Sequence, residues 1–165
     1  QGNNYTTVDT GANSRTNSAY YNSLYCPIGC GDAYQYGYNT DEEYKGDELG
    51  IQIGTGNAAN TAITYTLHQR VNHGVASGEM EYFGGNVGVV TVDGGNTYFD
   101  IERIFRNSSG GSIAVSEYSI VALRDNQNSS TYPTLIVRDV FSGGDIVTVA
   151  DTEILKVTYT PIVTV

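Results

Sequence analysis

The chain of 165 residues is long enough for one domain with a core, and its 39 % hydrophobic and 16 % charged residues exclude an intrinsically disordered composition. The formal net charge of −10, from 8 Lys and Arg against 18 Asp and Glu, excludes a surface that attracts nucleic acid or anionic lipid. With 14 Tyr, 20 Gly and no Trp, the composition favours a sheet protein with many tight turns.

The first 45 residues differ from the rest of the chain. Eight tyrosines and six asparagines fall between Gln1 and Tyr44, and no strand or helix period persists there. Because such a polar segment cannot bury itself, we predict an extended Asn/Gly/Tyr-rich assembly arm over residues 1–45. Tyrosine gives a large contact area at low entropic cost, so seven tyrosines are its candidate contacts with neighbouring subunits: Tyr5, Tyr20, Tyr21, Tyr25, Tyr34, Tyr36 and Tyr38.

Cys26 and Cys30 are the only cysteines, and both lie in this arm. Three residues, among them Pro27 and Gly29, separate them, which allows the sulfurs to close a small disulfide ring. A bridge to another subunit and two reduced thiols are the alternatives. Two cysteines alone do not complete a structural zinc site.

Acidic residues cluster at positions 41–43 and 47–48, where the arm meets the domain. Their spacing matches no EF-hand loop, so a solvated acidic hinge is the expected role. Ca²⁺ is the alternative ligand of this cluster, and the sequence indicates no other cofactor or metal site.

Residues 46–165 show the alternation and the regularly spaced turn signals of an all-β fold, namely a single antiparallel β-sandwich of the jelly-roll or immunoglobulin-like type. Phe99, Ile101 and Phe105 share one face of a strand, and Asp93-Gly94-Gly95-Asn96 is a strong hairpin signal. About eight strands are predicted, over residues 51–53, 79–83, 87–92, 98–106, 113–115, 118–123, 135–141 and 153–165.

The last predicted strand is long and apolar on one face, which carries Leu155, Val157, Tyr159, Pro161, Val163 and Val165. Proline cannot donate to a strand ladder, so Pro161 indicates an edge strand. Residues 162–165 are then either a frayed end or a segment that reaches a neighbouring subunit, and we favour the second interpretation.

The motifs do not indicate an enzyme. His68 and His73 are five residues apart and have no zinc-protease spacing, and neither a nucleophile elbow nor a phosphate loop is present. Gly54-Thr55-Gly56 lacks a third glycine and a following helix, so we interpret it as a turn. No catalytic residue is therefore predicted.

Three Asn-X-Ser/Thr triplets, at Asn4, Asn107 and Asn128, are candidate glycosylation sites if the protein is secreted by an organism that glycosylates. The chain begins with Gln1, which is compatible with removal of a leader peptide.

Residues 50–160 contain short motifs in a characteristic order. They are Ile53-Gly54-Thr55-Gly56, His73-Gly74, residues 101–107, residues 109–113, Val115-Ser116-Glu117, Val137-Arg138-Asp139-Val140, Gly143-Gly144 and residues 155–159. This order resembles a group of small β-rich structural proteins of tailed bacteriophages and viral metagenomes. The resemblance covers about two-thirds of the chain, excludes the arm, and implies a virion component.

We therefore expect a non-enzymatic, self-assembling structural subunit of a bacteriophage virion, as a tail, neck or capsid-decorating protein. Its partners would be copies of itself and other virion proteins, without nucleic acid or membrane insertion. A secreted, cell-surface subunit of an extracellular filament or pilus-like polymer is the alternative. A carbohydrate-binding module is the second alternative, although the absence of Trp disfavours it.

Overall fold

The structure is a computed structural model that describes residues 4–8, 14–18, 48–61, 64–125 and 131–164. The described part is all-β, as predicted, and consists of several antiparallel sheets with a single turn of 3-10 helix at Gly143–Asp145. Its strands are β1 (Asn4–Val8), β2 (Ser14–Ser18), β3 (Gly50–Gly54), β4 (Glu81–Val87), β5 (Thr91–Asp93), β6 (Asn96–Tyr98), β7 (Ile101–Arg106), β8 (Ile113–Val115), β9 (Glu117–Asp125), β10 (Thr131–Val140), β11 (Val147–Val149), β12 (Ile154–Tyr159) and β13 (Ile162–Thr164). No helix in this part of the chain is long and apolar enough to cross a membrane.

Strands β3, β9 and β10 form one antiparallel sheet, in which β9 is central. All five residues of β3 are buried, and Ile51 and Ile53 belong to the core. On the other face of β3, the side-chain amide of Gln52 donates a hydrogen bond to the carbonyl oxygen of Glu48 (2.5 Å). The predicted strand at residues 51–53 is thus confirmed.

Strands β4, β7 and β12 form a second antiparallel sheet, with β7 in the centre. Ile101, Arg103 and Phe105 are buried along one face of β7, as the two-residue period of a strand requires. Phe99 also packs against the core, which confirms that it shares a face with Ile101 and Phe105. The residues of β12 that pack against the core are Leu155, Val157 and Tyr159.

Both sheets contribute side chains to one hydrophobic core, together with the two-stranded β8–β11 sheet. The ring of Tyr82 meets that of Phe105 edge to face, with the centroids 4.7 Å apart. Burial of each large apolar side chain stabilises the fold by about 1.5–3 kcal/mol. The core residues are Ile51, Ile53, Val71, Met80, Tyr82, Ile101, Phe105, Ile113, Val115, Ile120 and Val149.

The third of the three-stranded sheets, which we call the distal sheet, consists of β5, β6 and β13. It extends the β4–β7–β12 sheet. Along the chain, β5 follows β4, β6 precedes β7 and β13 follows β12. The strand order β13–β6–β5 therefore matches the order β12–β7–β4. The breaks between the strands of the two sheets lie side by side. At these breaks, the carbonyl oxygen of Asp100 accepts a hydrogen bond from the backbone N–H of Gly88 (2.7 Å), and its carboxylate accepts one from the hydroxyl of Thr160 (2.6 Å). The predicted hairpin turn is confirmed: Gly94 and Gly95 connect β5 to β6 with φ of 54° and 85°.

Four predicted strands of this region are wrong in extent, and the first of them, expected over residues 98–106, is interrupted at residues 99–100. The strand expected over residues 153–165 is interrupted at Thr160 and Pro161, because proline offers no ladder donor. The strand expected over residues 87–92 is also interrupted, since residues 88–90 belong to no strand. β4 continues through Gly84-Gly85, where we predicted its end, by means of a bulge between Tyr82 and Gly85.

Three further strands were not predicted. β11 is only three residues long, and it forms by pairing with β8, from Val147 opposite Val115 to Val149 opposite Ile113. Within the segment predicted to be an extended arm, β1 and β2 pair as an antiparallel hairpin, from Asn4 opposite Ser18 to Val8 opposite Ser14.

Candidate functional site

The distal sheet exposes apolar side chains on both faces. Val92, Thr97 and Val163 lie opposite one another in adjacent strands and therefore share a face, whereas Ile162 lies on the other face. Val92 is 74 %, Val163 63 % and Ile162 62 % exposed, and no residue of the three strands is buried. This sheet thus has no core of its own.

The distal sheet also has two open edges and almost no charge. β5 and β13 are its outer strands, and among the described strands each pairs only with β6. Asp93 is the only charged residue in the three strands, in a chain with a net charge of −10. Exposed strand edges and apolar faces are features of surfaces that bind another protein.

In the β3–β9–β10 sheet, a buried ion pair joins Glu117, the first residue of β9, to Arg138 near the end of β10. Nη2 of Arg138 lies 2.6 Å from Oε2 of Glu117, whose side chain is 0 % exposed. The carboxylate also accepts backbone N–H hydrogen bonds from Gly56 (3.1 Å), His68 (3.0 Å) and Gln69 (2.7 Å). Burial raises the pKa of Glu117, but these hydrogen bonds and the charge of Arg138 outweigh it, and the pKa is lowered.

The glycines of Gly54-Thr55-Gly56 make room for this carboxylate. A Cβ atom at Gly54 would lie 2.5 Å from Oε1 of Glu117, and one at Gly56 would come closer still. The motif therefore has a more specific role than the turn that we predicted from sequence. We call Gly54, Gly56, Glu117 and Arg138 the Glu117 latch, because together they fasten the segment around residues 54–69 to β9 and β10.

Two other buried polar residues organise the fold. Arg103 donates to the carbonyl oxygens of Phe83 (2.8 Å), Leu49 (2.6 Å) and Ile51 (3.1 Å), and its guanidinium lies 4.9 Å from the centroid of the Tyr82 ring. The alternation of β7 places Arg103 between two core residues, but this set of contacts was not predicted from sequence.

Asn107 is fully buried, and its side-chain amide donates to the carbonyl oxygens of Gly111 (2.7 Å) and Val149 (2.9 Å). A glycan on this amide nitrogen would replace one of its two donor hydrogens, so at least one of these hydrogen bonds would be lost. In the folded domain, Asn107 is a structural residue.

The histidines are not brought together as a site. Nδ1 of His73 accepts the backbone N–H of Tyr82 (3.0 Å), and His68 contributes its backbone N–H to Glu117. A cleft of about 420 Å³ beside Arg70 is lined by small polar residues and by aliphatic residues such as Ile113 and Ile146, without a histidine, a cysteine or a carboxylate. Among the described residues, no group of three or more His, Cys, Asp or Glu side chains is placed to hold a metal ion.

Most sequence-predicted site residues lie outside the described part. Asn4 and Tyr5 are in β1, whereas Cys26, Cys30, Asn128 and the remaining arm tyrosines lie outside the described residues, as do the acidic residues 41–43 and Asp47. Glu48, the last member of the acidic cluster, lies just before β3.

Comparison of the chain with protein-family models, with curated proteins and with solved structures gave no match.

Proposed function

We propose that this protein is a non-enzymatic structural subunit that assembles with copies of itself. The distal sheet is the observation that carries the proposal: three strands with Val92, Ile162 and Val163 exposed, one charged residue, and two outer edges with which no other described strand pairs. Such a surface is costly for a protein that stays monomeric, because exposed apolar strand edges promote association.

Within this proposal, the β3–β9–β10 and β4–β7–β12 sheets are the two layers of one antiparallel sandwich, and residues 1–45 are an assembly arm. The shared core, to which Ile51, Ile120, Ile101 and Phe105 belong, supports the sandwich. Composition supports the arm, since eight tyrosines precede residue 45.

The assembly that we propose is a bacteriophage virion, with the subunit in a tail, neck or capsid-decorating position. The ordered motifs of residues 50–160 support this class of assembly. Four residues of these motifs come together in the Glu117 latch, namely Gly54, Gly56, Glu117 and Arg138. The net charge of −10 favours a position away from packaged DNA. The exposed large hydrophobic side chains of the distal sheet are Val and Ile, and its one aromatic residue, Tyr98, is half-buried, which disfavours a carbohydrate-binding module.

Light scattering and electron microscopy of the purified full chain test the proposal. We expect particles larger than a monomer at micromolar concentration, and we expect deletion of residues 1–44 to weaken or alter the assembly. A chain that remains monomeric up to roughly 1 mM contradicts self-assembly. At that concentration, only an association with a binding free energy weaker than about −4 kcal/mol escapes detection. A truncated chain that assembles with unchanged contacts contradicts the role of the arm.

A further inference from the structure

The outer edge formed by β12 and β13 changes character at Pro161. On the β12 side, Lys156 pairs with Glu102, and Pro161 itself lacks an amide hydrogen. A lysine or a proline at a strand edge prevents another strand from pairing there. On the β13 side, Ile162–Thr164 has neither a charge nor a proline, and no strand of the described residues pairs with its outer edge.

The lack of charge at β13 bears on which partner can approach it. Two copies of this chain repel one another, because each carries a net charge of −10. At physiological salt this repulsion acts between charges that lie within about 8 Å, the screening length. The repulsion is least where the contact surface has no carboxylate. β13 is such a surface, and its β-branched residues are well suited to strand pairing.

We propose that β13 of one subunit pairs antiparallel with β13 of a second copy, around a two-fold axis at Val163. This inference rests on the proposed self-assembly and adds the surface and the register of the contact. A register centred on Val163 is the one that pairs all three residues of the strand, with Ile162 opposite Thr164 of the second copy. The interface is isologous, so it forms a closed dimer.

The proposed register continues a row of side chains that already crosses the distal sheet. Val92, Thr97 and Val163 share one face within a subunit. Pairing places Val163 beside Val163 of the second copy, and the row then runs across six strands. Directly opposed side chains on one face are the unit that stabilises a sheet, and valine pairs favourably at this position.

Two substitutions separate the role of β13 from general effects of a surface charge. Ile162 and Ile154 are 62 % and 65 % exposed and lie on the same sheet edge, on opposite sides of Pro161. We expect Ile162→Lys to weaken self-association at least tenfold and Ile154→Lys to change it less than twofold, by sedimentation equilibrium. Each variant changes the net charge from −10 to −9, so weaker association cannot come from greater long-range repulsion.

Cross-linking tests the register in a chain with Cys26→Ser and Cys30→Ser. Directly opposed residues have Cβ atoms about 4.5–5.5 Å apart, whereas diagonal neighbours are about 7–8 Å apart, beyond the reach of a disulfide. Val163→Cys should therefore form a disulfide-linked dimer under mild oxidation, and Ile162→Cys should not. This experiment also decides the matter if Ile162→Lys fails to fold.

The outcomes distinguish the inference from the proposed function. Assembly that persists in Ile162→Lys, or that weakens equally in both lysine variants, overturns the β13 contact and leaves self-assembly intact. A dimer that cross-links through Ile162→Cys instead of Val163→Cys overturns the register. A monomeric parent chain at roughly 1 mM overturns both the contact and the proposed function.

Discussion

Nη2 of Arg138 lies 2.6 Å from Oε2 of Glu117, and the two side chains are 3 % and 0 % exposed. Arg138 also donates to the carbonyl oxygen of Ala58 (2.9 Å) and to the side chain of Asn60 (2.5 Å). One ion pair therefore connects β9, β10 and the segment that follows β3. A buried pair of this kind contributes to a unique arrangement, because removal of either partner leaves the other charge without compensation.

Replacement of Glu117 by glutamine should destabilise the domain by about 3–5 kcal/mol, since it leaves the guanidinium of Arg138 buried beside a neutral amide. Urea unfolding followed by circular dichroism measures this loss. Glu102→Gln is the matched control: Glu102 pairs with Lys156 at the surface, and we expect no measurable change there. Equal effects of the two substitutions would show that burial of the Glu117 latch is not what stabilises the domain.

Acid should weaken the domain through the same carboxylate. The pKa of Glu117 is lowered in the folded state, so the unfolded chain, with a Glu pKa of about 4.3, binds the proton more readily. The stability that Glu117 contributes is complete above that unfolded value and is lost as pH falls through the folded one.

Urea midpoints measured from pH 7 to pH 2 should therefore decline more steeply for the wild-type chain than for Glu117→Gln. The variant serves as the reference because it retains the other carboxylates. Parallel curves for the two proteins would contradict a lowered pKa at Glu117.

A methyl group at Gly56 should displace the latch. The added Cβ would lie 2.7 Å from Cβ of His68 and even closer to the Glu117 carboxylate, so Gly56→Ala should cost about 1–3 kcal/mol through overpacking. At Gly111 an added Cβ has nothing within 4 Å, and Gly111→Ala is the control. Thermal unfolding of both variants should show a lower midpoint for Gly56→Ala only. A similar loss at Gly111 would point to backbone effects instead.

The sequence predicted the features that depend on local pattern. Alternation identified the core face of residues 98–106, and the Asp-Gly-Gly-Asn run identified the β5–β6 turn, because period and turn chemistry are properties of neighbouring residues. The sequence did not predict the Glu117 latch. Gly56 and Glu117 are 61 positions apart, and nothing in either local pattern indicates that one carboxylate fills the space beside two glycines.

The strands β11, β12 and β13 show the same division between local pattern and long-range pairing. The apolar face of residues 155–159 was correct, since those residues face the core. The break at Thr160 and Pro161 could be predicted only in part from its own segment. It lies opposite the strand interruptions at residues 88–90 and 99–100, which belong to other segments of the chain and do not show in the local pattern. β11 was missed because three residues carry too little pattern, and it forms through pairing with β8.

The alternation of β7 placed Arg103 on the core face, and only the structure shows what its side chain binds there. It lies between Ile101 and Phe105 on the core face of β7, where a charged side chain is costly unless its donors are satisfied. Its guanidinium donates to three backbone carbonyl oxygens, those of Leu49, Ile51 and Phe83. It therefore ties β7 both to the start of β3, in the other sheet, and to the middle of β4, its neighbour in the same sheet.

Arg103→Ala should destabilise the domain by about 3 kcal/mol, because buried carbonyl oxygens lose their donors and a cavity forms beside the Tyr82 ring. Arg106→Ala is the control in the same strand: the side chain of Arg106 is 49 % exposed, and we expect a change within about 0.5 kcal/mol. Arg103→Lys should recover little of the loss, since an ammonium cannot reproduce the planar fork that reaches β3 and β4 together. If urea unfolding gave full recovery with lysine, the positive charge near Tyr82, rather than the geometry of the guanidinium, would be what stabilises this part of the core.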